Sequence, residues 1–224
     1  MILYQLPLDA GCRTVRLCLA EKALEFSLRT ERPWRRDPDF LALNPAGDVP
    51  VLTGAGPDGQ LTLCGARTIC EYLDETIEHG QLLGPDPAAR AETRRLADWF
   101  DVKFRREVGD NLVAEKIGKH VMEKGAPDSR AIRAGQRNIH IHLGYVEWLM
   151  QERNWLAGRR MSLADLNAAA HLSTVDYLGA VPWGEYPETR DWYARVKSRP
   201  GFKPLLEDRV PGIPPAAHYA NLDF

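Results

Sequence analysis

The stretch Asn44-Pro45-Ala46-Gly47-Asp48-Val49-Pro50-Val51-Leu52 leaves this chain few ways to fold around it. Pro45 fixes φ, Gly47 can take a positive φ, and Asp48 can bond its own backbone two residues on, so the first half reads as a tight turn. Pro50 then stands where an apolar strand of Val49, Val51 and Leu52 is starting. A proline there cannot donate to a sheet ladder, so it belongs at a strand start, a sheet edge or a cis bend. Only about 5–6% of X-Pro bonds in folded proteins are cis, so the local pattern alone does not single out that form.

Around this turn the first part of the chain alternates strand and helix patterns. Residues 2–6 read as a strand ended by Pro7. Asp9-Ala10-Gly11 opens a helix with Val15, Cys18 and Leu19 on one face, the i, i+3, i+4 spacing. Residues 24–28 alternate apolar and polar, which predicts a second strand. A charged loop over 31–39 carries Trp34 among Arg32, Arg35 and Arg36, and a short helix follows through Phe40 and Leu41. Leu61–Leu63 pairs with Val51–Leu52 across the turn at 54–60, a hairpin signal. Ile69, Tyr72, Leu73 and Ile77 recur at helical spacing. The predicted order is β-α-β-α-β-β-α over residues 1–80.

Gly84-Pro85-Asp86-Pro87 marks a linker, placed at 81–86. Residues 87–208 show no strand pattern and read as an all-helical domain. Leu96, Trp99, Phe100 and Phe104 form an apolar stripe, Asp128-Ser129 can cap a long helix, and Ser162-x-x-Asp165 resembles a capping box with Asp in the Glu/Gln place. Residues 187–199 form another helix, stopped by Pro200-Gly201. Residues 209–224 are proline-rich, cannot be helical, and form a C-terminal tail laid on the surface or reaching outward.

Composition narrows the function. A net charge of −2, with 27% charged residues, excludes a generic nucleic-acid or membrane-surface binder. No stretch approaches the roughly 20 apolar residues of a membrane span, so no insertion is expected, and no signal peptide is expected before Met1-Ile2-Leu3. Cys12, Cys18, Cys64 and Cys70 show no CxxC spacing, which predicts reduced core thiols in a cytoplasmic protein. No metal site is expected. His140 and His142, two apart on a helix, point to different sides, and His120 and His171 lack ligand spacing.

Asn-Pro-x-Gly-x-Val-Pro-x-Leu, about fifty residues in, resembles the glutathione transferase family. Leu3-Tyr4 through Val15-Arg16-Leu17 to Glu21-Lys22 is similar to that family's first strand and helix, and Ser162-Leu163-Ala164-Asp165-Leu166 to its second domain's helix cap. The resemblance covers most of the chain. It implies a thioredoxin-like α/β domain followed by an all-helical domain, a homodimer joining one subunit's first domain to the other's helical domain, and a cis Pro50. The residue before that proline, Val49, would offer its backbone to the cysteinyl part of glutathione. The aromatic and arginine content of residues 94–106 fits such a dimer face.

In the family a Ser, Cys or Tyr near the end of the first strand stabilises the glutathione thiolate. A free thiol has a pKa of about 8.5, so a donor or positive field is needed to ionise it at neutral pH. Here the Ser/Cys position falls on Asp9, whose carboxylate would raise a thiol pKa. Tyr4 stands at the tyrosine position, read first as a packing residue and alternatively as the donor. Cys12, at a helix start near Arg13 and Arg16, is a candidate reactive thiol, with a small buried residue as the favoured reading. The family's acidic-Ser pair at the third helix start is replaced by Gly65-Ala66, ahead of Arg67 and Thr68, either of which can compensate in part. Each hydrogen bond to a charged group is worth about 1.5–3 kcal/mol. Losing two predicts glutathione binding roughly a hundredfold weaker or absent, and Asp48 adds repulsion. The expectation is no cofactor and no assured catalytic residue, with glutathione transfer to small electrophiles as the alternative.

The tail and the Trp34 loop narrow the resemblance to an FtsZ-binding, cell-division branch of the family. It implies FtsZ polymers as partner and the division site as location. The expected contacts are Trp34 and Arg35 in the loop, with His218, Tyr219, Leu222, Asp223 and Phe224 in the tail.

Overall fold

The computed structural model of the chain, which describes residues 1–222, forms two compact units, Met1–Leu82 and a second from Leu83 onward. The first unit is a four-stranded mixed sheet of order β2-β1-β3-β4, built from β1 (Ile2–Gln5), β2 (Ser27–Thr30), β3 (Val51–Ala55) and β4 (Leu61–Cys64). β1 and β2 are parallel, so their connection must cross over, and α1 (Ala10–Glu21) supplies the crossover. β3 runs antiparallel to both β1 and β4. On one face Phe40 of α2 (Pro38–Leu43) covers Tyr4 and Val51. Leu3 and Leu52, cross-strand partners of opposite parity, are fully buried on the other face. α3 (Ala66–Thr76) packs against α1. This is the thioredoxin-like arrangement expected.

The second strand lies at Ser27–Thr30, not at 24–28. Its place is set by main-chain bonds from Ser27 N–H to Met1 O (3.1 Å) and Glu31 N–H to Gln5 O (2.9 Å). All four of its residues are exposed, so alternation carried no information there. Lys22 closes the end of the unit. Its fully buried ammonium pairs with Asp74 (2.9 Å) and donates to the carbonyls of Ile77, His79 and Gly80 (3.2 Å each).

The second unit is all helical. α4 (Pro87–Asp98), capped by Asp86, continues through Trp99–Gly118 as wider π-type turns into α5 (Lys119–Val121). α6 (Ser129–Glu152) is capped by Asp128. α7 (Leu163–Tyr177) is buried along its whole length and opens on a true capping box, with Ser162 N–H and Oγ donating to Asp165 Oδ2 at 2.8 and 2.9 Å. Asp165 Oδ1 also accepts from Leu156 N–H (2.8 Å) and Trp192 Nε1 (2.9 Å), which ties α7 to α8 (Pro187–Lys197). After α9 (Lys203–Leu206) the described residues, up to 222, are non-helical, as the prolines require. They do not reach outward. Tyr177 Oη donates to Ile213 O (2.6 Å) and accepts from Val210 N–H (3.1 Å), while Ala216 N–H donates to Tyr177 O (2.9 Å).

Candidate functional site

The Val49–Pro50 bond is cis. Asn44 holds the turn before it. Its Nδ2 donates to Asp48 O (2.8 Å), and its main-chain O accepts from Gly47 N–H (2.8 Å). Pro50 O accepts from Gly65 N–H (3.0 Å), so the turn and the start of α3 are joined directly. Among the described residues no intramolecular hydrogen bond uses the main chain of Val49, so its N–H and C=O remain available to an extended peptide. Gly65 sits at φ 88°, left-handed territory that side-chain-bearing residues enter at a cost, and no side chain caps α3 there.

Gly11 marks where these pieces converge. A Cβ on it would lie 3.4 Å from Ala66 Cβ, 3.4 Å from Asp9 Oδ1 and 3.6 Å from Pro50 Cδ. Asp9, Pro50 and Ala66 are therefore brought together in one cradle, with Gly65 and the exposed Arg67 on the adjoining turn. The backbone and the helix start can hold a peptide main chain or a carboxylate.

Asp9 is the N-cap of α1, its Oδ1 accepting from Cys12 N–H at 2.8 Å, and an ionised carboxylate cannot donate to a thiolate. Cys12 is fully buried. Burial first, and then the Asp9 charge, push its thiol well above the ordinary range, and the opposing pull of Arg16 is smaller. The favoured reading of Cys12 as a small buried residue fits this setting, and the reactive-thiol alternative does not: the pull of Arg16 loses to desolvation. Tyr4 is 8% exposed, its ring 5.8 Å from Phe40, with Arg29 Nη1 donating to its Oη (3.3 Å) and the guanidinium 5.1 Å over the ring. Its hydroxyl and ring belong to the packing of the sheet.

The residues expected to meet a partner fall in different settings. Trp34 is half-buried on a short 3-10 turn, Pro33–Arg35, with Arg35 exposed beside it. Arg36 Nη1 comes within 3.5 Å of where a Gly47 Cβ would stand, so this loop lies against the Asn44–Pro50 turn. Tyr219 is fully buried in its own unit, edge-on to Tyr177 at 5.2 Å, with its Oη donating to Leu205 O (3.3 Å). Its ring offers a partner no surface while the tail stays folded, because intramolecular packing takes all of it. His218 Nε2 donates to Asp176 Oδ1 (2.9 Å). Leu222 is 43% exposed. Asp223 and Phe224 lie outside the described residues.

Two groups escaped the sequence reading. Asp176, fully buried in α7, collects donors from four other positions. The helical unit also exposes Val102, Ile141 and Trp148, with Trp99, Tyr145 and Trp148 in a ring ladder (4.5 and 6.1 Å). The seven-residue spacing of Ile141 and Trp148 was the available signal. His140 and His142 do face different partners: Tyr186 Oη (2.9 Å) for the first, Glu107 Oε2 (3.1 Å) for the second.

The model of the glutathione S-transferase N-terminal domain matches residues 11–76, and that of the C-terminal domain residues 122–200. The chain is 51% identical over 222 residues to FtsZ-localized protein A of Caulobacter vibrioides, covering 99% of this chain and 97% of that protein. It belongs to the glutathione S-transferase family.

Solved structures agree. FzlA from C. crescentus superposes with a TM-score of 0.96 at 51% identity, covering 100% of this chain and 99% of that one. A glutathione S-transferase from Rhodospirillum rubrum gives the same values. In this family member the cradle keeps the backbone frame and lacks the acidic-Ser pair at Gly65-Ala66. No helix among the described residues is long and apolar enough to cross a membrane.

Proposed function

We propose that this protein binds FtsZ filaments as a cell-division regulator, acting in the cytoplasm at the division site, with its glutathione cradle reduced to a scaffold. The observation that carries the reading is the 51% identity to an FtsZ-localized protein across 99% of the chain. The cradle supports it: Asp9 is a helix cap, Tyr4 is packed, and Gly65-Ala66 offers no side chain to a ligand's charged groups. Glutathione binds weakly or not at all. The Trp34–Arg36 loop of the first unit is one partner contact, because Trp and Arg dominate binding energy where they are accessible, and the exposed end of the tail in the second unit, with Leu222, is another.

The protein works as a homodimer. The exposed Val102, Ile141 and Trp148 are apolar side chains of the kind that mark an interface. A second reading, conjugation of glutathione to small electrophiles, draws on the same family match. Sedimentation with FtsZ polymers separates the two when run beside a conjugation assay. Full-length protein should pellet with polymer, and Trp34→Ala should reduce pelleting. Undiminished conjugation with no pelleting would sink the proposal.

A further inference from the structure

We propose that Asp176 and His218 are positioning residues for the C-terminal docking segment. A buried carboxylate on α7 fixes the turn from which the exposed Leu222 emerges. The inference rests on reading that segment as partner surface. Asp176 is fully buried. Its Oδ1 accepts from Trp183 Nε1 (2.8 Å) and His218 Nε2 (2.9 Å). Its Oδ2 accepts from Tyr193 Oη (3.5 Å) and lies 3.7 Å from the Lys197 ammonium, itself fully buried. A carboxylate withdrawn from water needs such donors to remain charged. Trp183 on the turn before α8, with Tyr193 and Lys197 on α8, supplies three of the four. The body of the helical unit therefore holds the carboxylate, and the tail contributes only His218.

The tail reads α7 residue by residue. His218 meets Asp176, and Tyr219 meets Tyr177. Tyr219 N–H donates to Ala216 O and Asn221 N–H to His218 O, both at 2.9 Å, so the chain turns over His218 before Ala220, Asn221 and Leu222 emerge exposed. One residue thus does two jobs. The ring of His218 grips the carboxylate, and its carbonyl closes the last turn. With its side chain 37% exposed, His218 adds one hydrogen bond where Tyr219 adds a whole buried ring. Its larger effect is on direction. A tail held at Asp176 presents Leu222 in one orientation, which lowers the ordering entropy of docking.

The test uses full-length protein, His218→Ala, His218→Gln and a chain ending at Ala220, each measured for Tm and for affinity to FtsZ polymers by co-sedimentation. His218→Ala should weaken binding by about tenfold with a Tm within about 2 °C of the parent. His218→Gln, whose amide N–H can reach the same oxygen, should recover most of the affinity. Exchange of the Asn221 amide should speed up in His218→Ala alone. If the chain ending at Ala220 loses binding while His218→Ala binds like the parent, the positioning role is wrong and the docking reading stands. If the shortened chain binds fully, the docking segment itself is wrong. A His218→Ala protein that melts several degrees lower, with no rescue by Gln, makes the residue merely structural and overturns the inference.

Discussion

At the cradle around Val49–Pro50 the backbone carries the geometry, whereas at the anchor around Asp176 the side chains carry it. The cradle retains its cis bond, the Gly65 N–H to Pro50 O link and a helix start, yet Asp9 is spent on a cap and Ala66 offers only a methyl group. The anchor is the reverse: Trp183, Tyr193, Lys197 and His218 converge on one buried carboxylate. Backbone that can hold a ligand also joins the turn to α3, so folding by itself preserves it. Ligand-facing side chains have no such second use. The tail is secured by groups that the fold itself needs.

Removing the Tyr219 ring strikes the anchor hardest. Tyr219→Ala deletes a fully buried aromatic packed on Tyr177, and large-to-small changes of this kind cost about 3–5 kcal/mol. A urea titration should show the midpoint falling by that equivalent. A loss below about 1 kcal/mol would mean that the tail is loosely held and that the contrast with the cradle fails.

Acid should weaken the helical unit while sparing the cradle. Trp99 Nε1 donates to His142 Nδ1 (3.0 Å), which leaves Nε2–H to donate to Glu107. Burial pushes His142 down to about 4 from 6.5, despite the nearby Glu107 charge, which acts upward. Between those values the unfolded chain binds a proton that the native state does not, so stability rises with pH across that window and falls on acidification. The loss from pH 7 to pH 4 should approach about 3 kcal/mol. Denaturant melts read by tryptophan emission would show it, since all but Trp34 of the six tryptophans lie in the second unit. His142→Gln should flatten the dependence.

Returning a hydroxyl to the cradle is a smaller change. Calorimetry should give a glutathione dissociation constant weaker than about 0.1 mM for the parent. Ala66→Ser adds one polar group at the start of α3 and should improve affinity by up to about tenfold, near 1.4 kcal/mol. Gly65→Glu should help less, because φ 88° imposes about 1–2 kcal/mol on any residue with a Cβ. Tight parental binding would restore the enzyme reading.

Short-range chemistry was the legible part. The Ser162–Asp165 box, the cap at Asp128 and the 51–63 hairpin each depend on residues a few positions apart, and each formed. Two features depended on distant partners and stayed hidden. Asp176 looked like a polar position on a helix until donors from residues 183 to 218 folded over it. Tyr219 in a proline-rich tail reads the same whether it faces a partner or its own domain, because a hydrophobic side chain does not announce what covers it. Cys12 was legible as a small buried residue, the reading favoured over a reactive thiol, and the depth of its burial is what decides against the arginines nearby in sequence.

The mildest change asks whether any catalytic chemistry persists beside the cradle. Tyr4→Phe keeps the ring on Phe40 and under the Arg29 guanidinium, and removes only the hydroxyl that accepts a 3.3 Å bond from Arg29. That bond is long and its donor sits on an exposed strand, so water can replace it. The stability cost should stay below about 1 kcal/mol. Glutathione affinity, whatever its value, should be unchanged. If the hydroxyl instead lowered a bound thiol's pKa, its removal would deprive the thiolate of its donor, and any conjugation rate would drop by about a hundredfold or more. Conjugation measured on parent and variant decides the matter: equal rates leave Tyr4 as sheet packing, and a hundredfold fall would make the cradle a working site and erase its contrast with the anchor.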